Sequence, residues 1–137
     1  MHLLKIEPDC YPGQADPFIL KSAGRYYIYV TGHDAIYAYH SDQLLEGWQY
    51  YGPVLSVPGL KAFWAPSVIE LDGKFYMYNS MEGSGVTPDQ GGHDGSMHVS
   101  VSDSPLGPFQ MVKRILPPFS IDSHIVQNEA GLFLFYS

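Results

Sequence analysis

The stretch WAPSVIELDGKFYMYNS, residues 64–80, is written twice more in this chain of 137 residues: as ADPFILKSAGRYYIYVT at 15–31 and as IDSHIVQNEAGLFLFYS at 121–137. Each version has a small or acidic residue, an apolar run, a glycine turn and an alternating aromatic segment. Asp16, Ala65 and Asp122 fall in register. Gly24 and Gly73 lie eight residues after the first two, and Gly131 lies nine after the third. After each glycine the writing has period two: Tyr27 and Tyr29 around Ile28, Tyr76 and Tyr78 around Met77, Phe133 and Phe135 around Leu134. Period two after a glycine turn predicts a hairpin.

The second halves of the units also match. AIYAYHSDQLLEGWQYYGPVL at 35–55 aligns with SMHVSVSDSPLGPFQMVKRIL at 96–116, which pairs Ser41-Asp42 with Ser102-Asp103 and Trp48 with Phe109. Two complete units of four short strands are visible, and a third stops after its second strand. The strands are expected at 17–21, 25–31, 35–40 and 48–51, then 67–71, 74–80, 96–102 and 109–114, then 123–127 and 132–136. No helix is expected beyond a single turn at Asp42–Gly47.

Repeats of this length with four strands each predict an all-β fold of the β-propeller kind. The blades are expected at about 16–58 and 63–117, with a third begun at about 120–137. A β-sandwich whose hairpins resemble one another by chance is the alternative. The match over both halves of the unit favours the propeller. Residues 81–96 interrupt the second unit with a glycine-rich run and read as a long surface loop.

Composition agrees with many strands and turns. Eleven Tyr, fourteen Gly and eleven Pro accompany only 15% charged residues. The formal charge of −7, with no block of Lys or Arg, argues against nucleic acid and against an anionic membrane surface as partners. Cys10 is the lone cysteine, so no intrachain disulfide forms. The first ten residues lack a signal-peptide core, and no apolar run reaches membrane-helix length. The expectation is a cytoplasmic protein; a secreted one trimmed of its leader would read the same.

In a propeller the first strand of each blade lines the central channel, so its leading residue stands at one mouth. That places Asp16 and Asp122 at a common funnel, with Ala65 leaving room between them. Paired carboxylates across a pocket suit acid–base chemistry, glycoside hydrolysis included. Trp64 and Phe63 stand beside the same mouth as candidate platforms for a sugar face; the alternative for both is packing between blades. Trp48, at a repeat position, reads as core. His33, Asp34 and His124 are candidate sugar contacts, and His93-Asp94 stand in the glycine-rich loop. The six histidines show no H-x-H or H-x-x-x-H spacing, so no zinc site is expected. Phosphate-loop and G-x-S-x-G signatures are absent from the sequence.

The three repeated motifs, with SDSPLGPF at 102–109, resemble glycoside hydrolase family 43 over nearly the whole span from Asp16 to Ser137. The resemblance implies a five-bladed propeller, of which about two and a half blades are written here. It implies cleavage of arabinose- or xylose-containing polysaccharides with inversion, as in the β-xylosidase, α-L-arabinofuranosidase and arabinanase group. By the same resemblance Asp16 is the general base that activates water. Asp122 is the aspartate that orients the general acid and adjusts its pKa.

No cofactor is implied, although some relatives hold an ion near the axis. The family's general acid is a Glu on a fourth blade, and neither Glu82 nor Glu129 stands at a matching position. The isolated chain is therefore expected to be inactive. A non-catalytic carbohydrate-binding or assembly module is the alternative. The open ring is expected to be covered by further C-terminal blades or by self-association.

Overall fold

The computed structural model describes residues 15–83 and 94–137. Ten strands in these residues form three antiparallel sheets, without a helix. Blade one is β1 (Phe18–Ser22), β2 (Arg25–Val30), β3 (Ile36–Ser41) and β4 (Gln49–Leu55) in that spatial order. Blade two is β5 (Lys61–Leu71), β6 (Lys74–Glu82), β7 (Ser96–Ser102) and β8 (Gln110–Pro118), again in sequence order. The third sheet pairs β9 (His124–Asn128) with β10 (Gly131–Phe135). The chain is a partial β-propeller, and the single turn expected at Asp42–Gly47 is a run of bends.

Local chemistry sets the hairpins. Ala23-Gly24 joins β1 to β2 with φ of 47° and 81°, and Asp72-Gly73 joins β5 to β6 with φ of 51° and 74°. Positive φ at both central residues is the two-residue turn whose twist matches the flanking strands. The third hairpin differs. Asn128 pairs with Gly131 across Glu129-Ala130, and the Asn128 side chain accepts from the Ala130 amide at 2.8 Å. Gly131 therefore opens β10 instead of sitting in the turn, which is why it arrives one residue late.

The Ser-Asp repeats build equivalent corners. Ser41 Oγ accepts from the Gln43 amide, and Ser102 Oγ from the Ser104 amide. The following aspartates reach back to the cation after each hairpin glycine: Arg25 to Asp42 at 2.6 Å and Lys74 to Asp103 at 2.7 Å. Exposed pairs of this kind add little stability; they mark register.

Blades one and two share the main core. Tyr27, Tyr29 and Leu55 pack with Phe63, Met77 and Phe109 in one buried cluster. The Tyr29 ring meets Phe109 edge-on at 6.2 Å, and its hydroxyl donates to the Pro105 carbonyl at 2.7 Å. Burial drives the Tyr29 pKa well upward. The 102–109 stretch is pinned to β4, since the Phe109 amide donates to the Val54 carbonyl at 2.7 Å. Trp48 is buried in a second cluster on the far face of blade one, with Ile28, Val30 and Tyr39. Trp48 and Phe109 are both core, as their shared repeat position suggests.

The first strand of blade two departs from expectation. It begins at Lys61, well before residue 67, with register shifts between Lys61 and Trp64 and between Trp64 and Ser67. The cause is backbone: Ala62 and Ala65 take left-handed φ of 53° and 45°, breaking the alternation twice. This extension reaches blade one, where Phe63 and Gly32 exchange two backbone hydrogen bonds of 2.9 and 3.0 Å. β8 also runs past residue 114 to Pro118; as an edge strand it tolerates the prolines.

Candidate active site

The residues in register converge. Asp16, Phe18, Ala65, Asp122, Ser123 and His124 line one cavity of about 280 Å³, together with the prolines at 17 and 66. Asp16, Ala65 and Asp122 each take a left-handed backbone, with φ of 51°, 45° and 57°. Asp is tolerated there, whereas Ala pays a steric penalty of about 1–2 kcal/mol. Ala65 keeps the conformation without a carboxylate, so the kink belongs to the blade entry itself. It turns the leading side chain toward the cavity, just ahead of the strand at Asp16 and Asp122 and within β5 at Ala65.

Each carboxylate is held by a hydroxyl at the end of its own blade's second strand or just beyond it. The Thr31 hydroxyl donates to Asp16 Oδ2 at 2.9 Å, and Ser137 to Asp122 Oδ2 at 3.0 Å. Thr31 Oγ1 also accepts from the Ala65 amide at 3.0 Å. Backbone bonds close the same corners: the Thr31 amide to the Ala15 carbonyl, and Ser137 with Ile121 in both directions.

Blade three is docked by serines. Ser123 Oγ lies 2.9 Å from the Ala65 carbonyl and 2.8 Å from that of Tyr78. The Ile125 amide donates to Ser67 Oγ at 2.9 Å. Asp122 and His124 flank Ser123, so burying that serine against blade two leaves both neighbours exposed at the cavity. The His124 ring is 6.0 Å from that of Phe18, tilted by 58°, which brings blades one and three together.

The other sequence candidates fall differently. Phe63 is 0% exposed within the inter-blade core, which corrects the expectation that it contacts a sugar: no face of its ring is available. Trp64 is partly exposed beside Ala65 but is not among the cavity-lining residues. His33 and Asp34 are exposed in the turn after β2 and also lie off that lining. The His33 carbonyl accepts from the Ala62 amide, and Asp34 accepts from the Tyr37 hydroxyl at 2.7 Å. Glu82 ends β6 beside Lys61 at 3.7 Å, and Glu129 sits in the β9–β10 turn. Asp94 accepts from the Gly83 amide at the base of the glycine-rich loop. His93, Cys10 and most of that loop lie outside the described residues.

Thr31, Ser123 and Ser137 were not singled out from sequence. The signal for Thr31 and Ser137 was present, because every copy of the repeat ends on a hydroxyl: Thr31, Ser80 and Ser137. Among the described residues no group of three or more His, Cys, Asp or Glu is placed to share a metal ion.

Sheets whose innermost strands open on one carboxylate-lined cavity define a propeller with an axial site. The chain belongs to glycosyl hydrolases family 43, whose family model matches residues 11–137. It is 34% identical over 96 residues to the probable arabinan endo-1,5-alpha-L-arabinosidase B of Aspergillus oryzae, covering 66% of this chain and 25% of that relative. The Aspergillus flavus protein of the same name matches equally. The chain thus spans about a quarter of the length of these curated relatives. Among solved structures, a thermostable family-43 glycoside hydrolase is 30% identical with a TM-score of 0.73, covering 88% of this chain and 40% of that one. The family-43 enzyme from Xanthomonas citri complexed with xylotriose shares the fold, with a TM-score of 0.74 at 24% identity over 89% of this chain and 39% of that one.

Proposed function

We propose that this chain carries part of the catalytic centre of an inverting glycoside hydrolase acting on arabinose- or xylose-containing poly- or oligosaccharides. The observation that carries the reading is the shared cavity of Asp16 and Asp122, reached from equivalent left-handed entries on different blades. Membership of family 43 supports hydrolysis of glycosides. The arabinanase relatives and the xylotriose complex support pentose-containing substrates.

In this reading Asp16 is the general base. Thr31 occupies its Oδ2, which leaves Oδ1 to accept a proton from the attacking water. Inversion requires that base and acid stand roughly 6.5–9.5 Å apart, so that water fits opposite the leaving group. Asp122, fixed by Ser137, orients the acid and favours its protonated form by like-charge repulsion. The acid itself is assigned to a Glu of a further blade. His124 and Phe18 line the cavity as sugar contacts, and Trp64 stands outside it as a candidate platform.

The test is hydrolysis of arabino- and xylo-oligosaccharides by the full natural protein, with the first-formed anomer followed by proton NMR. Inversion, abolished by Asp16→Ala, is expected. Retention, or turnover unchanged in Asp16→Ala, overturns the reading. Saturable oligosaccharide binding without hydrolysis would instead favour a non-catalytic carbohydrate-binding module.

A further inference from the structure

We propose that Thr31 is a positioning residue for Asp16, its hydroxyl aimed by a backbone amide of the neighbouring blade. The proposal rests on the general-base reading of Asp16, and its test separates the two.

The direction of the hydrogen bonds follows from the donors available. The Ala65 amide can only donate, and it donates to Thr31 Oγ1 at 3.0 Å. The single hydroxyl proton of Thr31 is then directed to Asp16 Oδ2 at 2.9 Å, since a carboxylate only accepts. A chain of two bonds thus runs from the backbone of blade two, through a side chain of blade one, to the carboxylate in the cavity. Asp16 is otherwise exposed and would sample several staggered rotamers. The Thr31 hydroxyl selects one, and ties it to the position of the neighbouring blade.

The repeat supplies an internal comparison. Ser137 holds Asp122 Oδ2 at the same separation of 15 residues that relates Thr31 to Asp16. Ser80 occupies the equivalent place relative to Ala65. There the carboxylate is missing, and the Ser80 hydroxyl is buried without a hydrogen-bond partner. The buried hydroxyls of Ser96 and Ser100 in the same sheet also lack a partner, so the comparison rests on the two pairs that form, each joining a carboxylate to the hydroxyl 15 residues on.

The experiment compares wild type with Thr31→Val, Thr31→Ser and Asp16→Asn in the full natural protein. The readouts are kcat and KM on an arabino- or xylo-oligosaccharide, and a crystal structure of each Thr31 variant. Thr31→Val keeps the side-chain volume and removes the donor. It is expected to lower kcat by about 10- to 100-fold with KM within twofold, the scale of a misplaced reacting group. Thr31→Ser, which restores the donor, is expected to recover kcat to within about threefold of wild type.

A wild-type kcat in Thr31→Val overturns the proposal, as does an equal loss in Thr31→Ser. If Asp16→Asn retains turnover, or wild type shows none, the general-base reading fails and the crystal structures decide. An Asp16 carboxylate displaced in Thr31→Val and in place in Thr31→Ser supports positioning. A carboxylate unmoved in Thr31→Val refutes it. Should Thr31→Val not fold, Thr31→Ala takes its place in every comparison.

Discussion

Asp122 reaches the cavity only if β9 is docked on blade two, and one buried hydrogen bond makes that docking measurable. Ser67 is 0% exposed, and its Oγ accepts from the Ile125 amide at 2.9 Å. Ile125 is itself 7% exposed, so water has little access to the bond. Ser67→Ala removes the acceptor and leaves a buried amide proton unpaired. That costs about 1–3 kcal/mol, the desolvation penalty of an unmet donor. Local opening at Ile125 should become easier by the same amount. Native-state hydrogen exchange should then accelerate about 5- to 150-fold at that amide. Amides of the β6–β7 ladder, in the middle of blade two, should keep wild-type rates. The assay is residue-resolved exchange by NMR on wild type and variant. An unchanged rate at Ile125 would refute the docking contact. An equal acceleration throughout blades one and two would refute its locality.

Phe63→Ala should destabilise the fold by about 3–5 kcal/mol, the cost of emptying a buried aromatic site. Thermal melting reads it, while the milder Phe63→Leu should leave sugar affinity unchanged if Phe63 only packs. Gly107→Ala should cost about 1–3 kcal/mol in urea unfolding, because φ is 72° and a Cβ would stand 2.6 Å from the Val54 carbonyl oxygen. An unchanged midpoint would mean that the 102–109 stretch does not press on β4.

His98 should give an acid-sensitive contribution to stability. Burial, with a smaller push from the Arg114 guanidinium, holds its pKa below the ordinary 6.5 despite its bond to the Ser96 carbonyl. The folded state therefore binds this proton less readily than the unfolded chain. The contribution is complete above pH 6.5 and is lost as pH falls from there through the lowered folded value. Melting curves between about pH 7.5 and pH 5 should fall more steeply for wild type than for His98→Gln. Parallel curves would contradict the assignment.

Much of the architecture was legible because repeats convert spacing into geometry. The glycines at 24 and 73 announced hairpin turns, and the alignment of Asp16 with Asp122 placed both at the leading edge of an innermost strand. What escaped was backbone that carries no letter. Ala62 and Ala65 adopt left-handed φ, yet alanine gives no sign of it, so the early start of β5 and its two register shifts were invisible. Those shifts also explain Phe63. Adjacent to Trp64, it read as a companion at the mouth, but with alternation broken its ring turned into the core while Trp64 remained partly exposed. The hydroxyls of Thr31 and Ser137 were legible in principle, as the last letters of repeated segments. Their partners lie 15 residues upstream, and only the fold shows that the carboxylate and the strand end meet.

The most direct test of the account is an experimental structure of the full natural protein with a bound arabino- or xylo-oligosaccharide. The account predicts a sugar ring seated between Asp16 and Asp122, over Ala65 and against Phe18 and His124. A saccharide bound elsewhere, with both carboxylates out of its reach, would contradict it.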